Sequence, residues 1–149
     1  MIEIISHRGN INGPYENENS PEQIEKALKL FKVEVDVWYI NNKWFLGHDK
    51  PIYEVGFDFF DKNMFLHCKN FEAVKNLYGT CYNWFWHEDD QMTLTSQGDI
   101  WCYPGKYIKS GLTVFKGEPT LAWARQLPID IKGICTDYPL KVKEMEDGF

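Results

Sequence analysis

Residues 33–49, VEVDVWYINNKWFLGHD, constrain this chain more than any other stretch. Val33, Val35 and Val37 alternate with Glu34 and Asp36. Side chains of a strand repeat every two residues, so the two carboxylates share a face, about 7 Å apart along it. Asn41-Asn42 then suits a hairpin turn, because Asn tolerates positive φ. On the returning strand, Trp44, Leu46 and His48 share a face. Two carboxylates on one strand face suit a hard divalent cation. A histidine delivered beside them suits proton transfer. The plain alternative is an edge hairpin whose acids face water.

The N-terminal stretch adds weight to the first reading. A short apolar run from Ile2 ends in His7-Arg8-Gly9, and a polar loop then leads to Glu18-Asn19-Ser20. These two pieces, with Glu34-Val35-Asp36-Val37 and Gly47-His48-Asp49, follow one another within some 45 residues. In that order and spacing the chain resembles the glycerophosphodiester phosphodiesterase family. Gly133-Ile134-Cys135-Thr136-Asp137-Tyr138-Pro139 is similar to that family's closing Gly-x-x-Thr-Asp-x-Pro. The resemblance is dense over residues 2–49, thin from 50 to 130, and returns at 131–139.

The resemblance implies a (β/α)8 TIM-type barrel that carries its site at the C-terminal ends of the strands. It implies His7 and His48 as acid and base, and Glu34 and Asp36 as metal ligands. Arg8 and Lys69 would bind phosphate, Arg8 through its planar fork of donors. Glu18 and Asp49 would order the surrounding loops. Trp86, His87 and Glu88 end a strand, where they are candidates to line the mouth, with core packing for Trp86 and a solvated turn for Glu88-Asp89-Asp90 as the favoured alternatives, and Asp137 is expected at the start of the last helix. One position departs from the family, whose members carry a ligating Glu two residues before the third-strand lysine. Here that residue is His67, which period two keeps on the face of Lys69. One divalent ion is implied, Mg, Mn or Ca. Imidazole in place of a carboxylate favours a transition ion.

Composition excludes several other classes. The 149 residues suit one domain with a real core. The net charge of −6, with no Lys/Arg-rich tract, argues against nucleic acid as a partner. No apolar run approaches the roughly 18 residues that span a bilayer, and no signal peptide precedes Ile2. The expectation is a cytoplasmic protein without a stable membrane anchor, acting on a small-molecule phosphodiester. Oligomeric state is left open. Cys68, Cys81, Cys102 and Cys135 lack metal-site spacing and read as free, buried thiols.

Taken in order, the chain reads as strands alternating with a few helices. Ser20-Pro21-Glu22-Gln23 carries the marks of a helix start with a capping box. Residues 50–62 read as loop, 92–103 as two short strands around Gly98-Asp99, and 117–127 as a helix. Length strains the barrel expectation. A typical barrel uses about 250 residues, roughly 31 per unit. Here 149 residues over eight units leave about 19. An incompletely closed barrel is the alternative. The function expected is metal-dependent hydrolysis of a glycerol-type phosphodiester. A phospholipase D of the sphingomyelinase type, hinted at by Phe57, Phe59 and Phe60, is a second reading. A non-catalytic phosphate binder is a third.

Overall fold

The computed structural model describes residues 2–148. Its strands are β1 (Glu3–His7), β2 (Lys32–Ile40), β3 (Lys43–Leu46), β4 (Tyr53–Val55) and β5 (Met64–Cys68). After these come β6 (Asn83–Trp86), β7 (Met92–Leu94), β8 (Ile100–Cys102), β9 (Gly111–Phe115) and β10 (Gly133–Thr136). Four short helices join them: α1 (Pro21–Leu28), α2 (Phe71–Leu77), α3 (Leu121–Ala124) and α4 (Pro139–Asp147).

Strand β2 is the branch point of the sheet. One edge pairs in parallel with β5, from Val33 opposite Met64 to Val37 opposite Cys68. The other edge pairs first with β1, in parallel, and then with β3, antiparallel. The turn between β2 and β3 is the expected one, with Asn41 and Asn42 at φ of 50° and 62°. Around the sheet the parallel run is β8, β9, β10, β1, β2, β5, β6. Antiparallel additions sit at two places, β3–β4 beside β2 and β7 beside β8.

The expectation of a (β/α)8 TIM-type barrel is overturned. Among the described residues the sheet is mixed and curls into an open trough, and helices do not alternate with strands through eight units. The physical reason is the one that length foretold. Residues 92–103 form a hairpin where a β/α unit would need a helix, and the β8–β9 crossover is loop. The helix expected over 117–127 shrinks to the four residues of α3. The 50–62 segment is partly ordered, since β4 extends the β2–β3 hairpin. Between β6 and β7 the wall is stitched without a ladder. Ser96 N–H donates to the Trp84 carbonyl at 2.7 Å, and Trp84 N–H to Ser96 Oγ at 3.0 Å. Thr93 Oγ1 adds a bond to the Trp86 carbonyl at 3.1 Å.

Both faces of the sheet are packed. On the outside, Val33, Val35 and Val37 are fully buried with Ile24 and Ala27 of α1 and Ala73 and Leu77 of α2. Each such side chain contributes about 1.5–3 kcal/mol by leaving water. Ser20 caps α1 as expected, accepting from Gln23 N–H, and Pro21 opens it. The capping box is not completed, because Gln23 Nε2 donates to the Gly9 carbonyl instead. Inside the trough, Ile5, Phe65, Phe85, Trp101, Leu112, Val114 and Cys135 form an apolar floor. The four thiols are free, but Cys81 is exposed, contrary to expectation. No helix among the described residues is long and apolar enough to cross a membrane.

Strand β10 is threaded tightly between β1 and β9 at Gly133. A Cβ there would sit 2.5 Å from the Glu3 carbonyl oxygen and 2.9 Å from Leu112 Cδ2. Overpacking of this kind costs about 1–3 kcal/mol. Gly133→Ala should therefore lower the unfolding free energy by that amount, seen as a lower urea midpoint with an unchanged slope. An unaffected midpoint would mean that the β1–β10–β9 spacing is looser than described.

Candidate metal centre and acid–base site

Period two builds the site directly above the floor. Two residues beyond six of the seven floor residues the same face turns polar, while Leu112 leads to Val114, itself part of the floor. Ile5 leads to His7, Phe65 to His67 and Lys69, Phe85 to His87, Trp101 to Tyr103, Val114 to Lys116, and Cys135 to Asp137. Most of these side chains, with Arg8, Glu34, His48, Trp86, Glu88 and Asp89, line a cavity of about 440 Å³.

Glu34, Asp36 and His67 each bring one ligand atom within 4.8 Å of the others, a group that could hold a metal ion. Asp36 is fully buried and Glu34 nearly so. His67 Nδ1 lies 3.0 Å from Asp36 Oδ1 and 3.5 Å from Glu34 Oε1. The other ring nitrogen, Nε2, is 2.9 Å from the His87 carbonyl. A carbonyl only accepts, so Nε2 carries the proton of that bond. Nδ1 then faces the carboxylates either with a second proton or with a lone pair for a metal. This is the arrangement in which an outer partner fixes the tautomer of a metal-binding histidine. Glu34 Oε2 and Asp36 Oδ1 are buried without an aligned hydrogen-bond partner among the described residues, which an ion would satisfy.

The charges around Asp36 explain how a carboxylate survives there. Burial alone would raise its pKa. His67, Arg8 and Lys69 outweigh burial and hold it well below the usual carboxylate range. Arg8 Nε approaches Asp36 Oδ2 at 3.1 Å and Lys69 Nζ approaches Oδ1 at 3.7 Å. Asn19 clasps the same residue, donating from Nδ2 to Asp36 Oδ2 at 2.9 Å and accepting from its backbone N–H at 3.0 Å. His67 is desolvated too, yet its bonds to Asp36 and Glu34 win and lift it to about 9.

His7 is held from behind. Its Nδ1 is 2.6 Å from Asp137 Oδ1, and Asn10 Nδ2 donates to the same oxygen at 2.8 Å. Nε2 is left toward the cavity, 3.9 Å from Glu34 Oε2. Asp137 therefore does not cap the last helix, as its sequence position suggests. Tyr138 occupies that position without a side-chain cap bond.

Glu18 stands away from the metal group. It accepts from Arg8 Nη1 at 3.2 Å and Asn10 Nδ2 at 2.7 Å, tying the 10–19 loop to the site. His48 lines the cavity but is 39% exposed, its Nδ1 at 2.7 Å from the exposed Asp49. Trp86 is not core, being exposed at the cavity wall, where its Nε1 donates to Glu88. His87, read from its place at a strand end as a residue of the mouth, does line the cavity. The sequence reading missed Asn10, Asn19, Tyr103 and Lys116. The recurring apolar-x-polar step at the strand ends marks the last two. Asn10 and Asn19 carry no such mark, since loop folding alone brings them in.

His67 yields a test of sign. In the metal-free protein its pKa is raised from 6.5 to about 9. A raised folded pKa gives stability that is full below about pH 6.5 and is lost as pH rises through about 9. The denaturation midpoint of metal-free protein should fall across that window, and His67→Gln should flatten the decline. Metal needs the deprotonated ring, so Mn²⁺ affinity by calorimetry should rise over the same window, by up to about tenfold per pH unit. Flat profiles in both measurements would show that Nδ1 holds neither proton nor metal. No family model, curated protein or solved structure matches this chain.

Proposed function

We propose that this chain is a metal-dependent phosphodiesterase that cleaves a small glycerol-type phosphodiester to glycerol phosphate and an alcohol. The observation that carries the reading is the meeting of His7, Arg8, Glu34, His67 and Lys69 in one cavity, with Asp36 buried against Glu34 and His67 in the same group. The ordered motifs that resemble glycerophosphodiester phosphodiesterases support it as well.

A phosphodiester is a stable monoanion. Its hydrolysis needs positive charge on the non-bridging oxygens, a deprotonated oxygen nucleophile and a protonated leaving group. Glu34, Asp36 and His67 would hold a divalent ion, which would supply Lewis acidity toward the phosphoryl group. Lys69 and Arg8 present further positive charge at the cavity wall. With Nδ1 bonded to Asp137, His7 keeps Nε2 free to take a proton from the attacking hydroxyl. His48, at the cavity rim, is placed to return a proton to the departing alkoxide. The nucleophile is water or a neighbouring hydroxyl of the substrate, and ³¹P spectra distinguish the two by a cyclic phosphate intermediate.

A second reading has its own observation. Arg8, His67 and Lys69 already neutralise Asp36 without any ion, as a phosphate-binding module would require. Turnover separates the two. A panel of glycerophosphodiesters should be hydrolysed by wild type with Mn²⁺ and not with chelator. His7→Ala should lower kcat at least about 10²-fold with the fold intact. His48→Ala should fall as far, and the double variant little further, because residues acting as a unit are non-additive. Near-wild-type turnover in His48→Ala would remove the proton-return step. Binding of glycerol phosphate with no turnover of any diester would favour the binding module.

A further inference from the structure

Besides its histidines, the cavity is lined by three cationic side chains, Arg8, Lys69 and Lys116. Two of them are already engaged inside the protein. Arg8 holds Asp36 through Nε at 3.1 Å and Glu18 through Nη1 at 3.2 Å. Lys69 Nζ lies 3.7 Å from Asp36 Oδ1. Among the described residues Lys116 alone of the three forms no ion pair, and its ammonium makes no hydrogen bond. A cation already neutralised by a carboxylate attracts a further anion weakly, whereas an unpaired one attracts it in full.

The ladder places this lysine. Phe115 is opposite Thr136, and Thr136 is opposite Ser6. One residue further along, Lys116 stands beside Asp137 and Asp137 beside His7, which is itself paired with Glu34. The four residues stand at one height across β9, β10, β1 and β2. Period two turns Lys116 the same way as the floor residue Val114, toward the cavity. Neighbouring strands are about 4.8 Å apart, so the Lys116 backbone is roughly 10 Å from that of His7 along the sheet. A flexible four-carbon stem and a phosphoryl group between them bridge that gap. Carboxylates face Lys116 too. Asp137 is its register neighbour, but Asp137 Oδ1 is taken by His7 Nδ1 and Asn10 Nδ2. Glu88 and Asp89 line the cavity from the segment after β6. We propose that Lys116 is a substrate-binding residue, whose ammonium pairs with a non-bridging oxygen of the phosphoryl group held in front of His7. A compact charge on a mobile stem suits that oxygen.

This rests on the phosphoester binding of the function proposed above and not on turnover, so the test is made on binding. Calorimetry measures glycerol 3-phosphate on the full chain with Mn²⁺ present, in wild type, Lys116→Gln, Lys116→Arg and Lys106→Gln. Lys116 is exposed, so its variants keep the fold. Lys106 is an exposed lysine near β9 that does not line the cavity, and it controls for the loss of one positive charge. Lys116→Gln should weaken binding about 5- to 20-fold, between an exposed ion pair and a charge-assisted bond to phosphate. Lys116→Arg should stay within about threefold of wild type, and Lys106→Gln, a screened charge outside the cavity, within about twofold. Unchanged affinity in Lys116→Gln would overturn the proposal. So would an equal loss in Lys106→Gln, a loss in Lys116→Arg as deep as in Lys116→Gln, or no binding by wild type. Weakened binding in Lys116→Gln alone, with no hydrolysis of any diester, would sustain the proposal while the hydrolase reading fails.

Discussion

Two carboxylates on adjacent inward positions of β2 are shut off from water, and the neighbourhood is arranged around that fact. An isolated buried carboxylate is not tolerated, so it must neutralise or be paired. Asp36 is paired on every side. Arg8 reaches it from the end of β1, His67 and Lys69 from β5, and Asn19 from the loop before α1. Three chain segments, the end of β1, the loop before α1 and the end of β5, are thus drawn to one buried group. Arg8 and Asn19 adopt φ of 55° and 61° to reach it, in a region that most side chains avoid.

The outer side of the same strand explains why the arrangement is rigid. Val33, Val35 and Val37 lock β2 against α1 and α2, and a one-residue slip would bury the valines in the cavity and expose the acids. Register and electrostatics enforce each other. Elsewhere the thiols near the site take no part in the chemistry. Burial pushes Cys68 up to about 12, and Cys135 is raised well above the ordinary thiol range. Such thiols stay protonated and inert.

The fold was legible where the pattern was local. Alternation in β2, the Asn-Asn turn and the Ser-Pro start of α1 all follow from spacing of two or from turn and capping chemistry. The architecture was not legible, because it depends on what joins the strands. Residues 92–103 pair with each other instead of crossing over, in keeping with the two short strands read around Gly98-Asp99, but no local signal says how that hairpin joins the sheet. The candidate site divides in the same way. Glu34, Asp36 and His67 come together because β2 and β5 pair with Asp36 opposite His67. Asp137 belongs to His7 because β10 pairs with β1, which joins residues 130 positions apart. Its sequence neighbours suggest only a helix cap.

The seam between β6 and β7 bears on how anything enters the cavity. Ladders hold the rest of the sheet cooperatively, while here a few bonds from Ser96 and Thr93 do the joining. Local opening begins where few backbone bonds need to break. The seam is therefore where local opening of the wall would begin, beside Trp86 and His87. The cavity has a rigid back, formed by β1, β2 and β10, and a compliant front. Movement at that front would reach the buried carboxylates by way of the His87 carbonyl, which holds His67 Nε2.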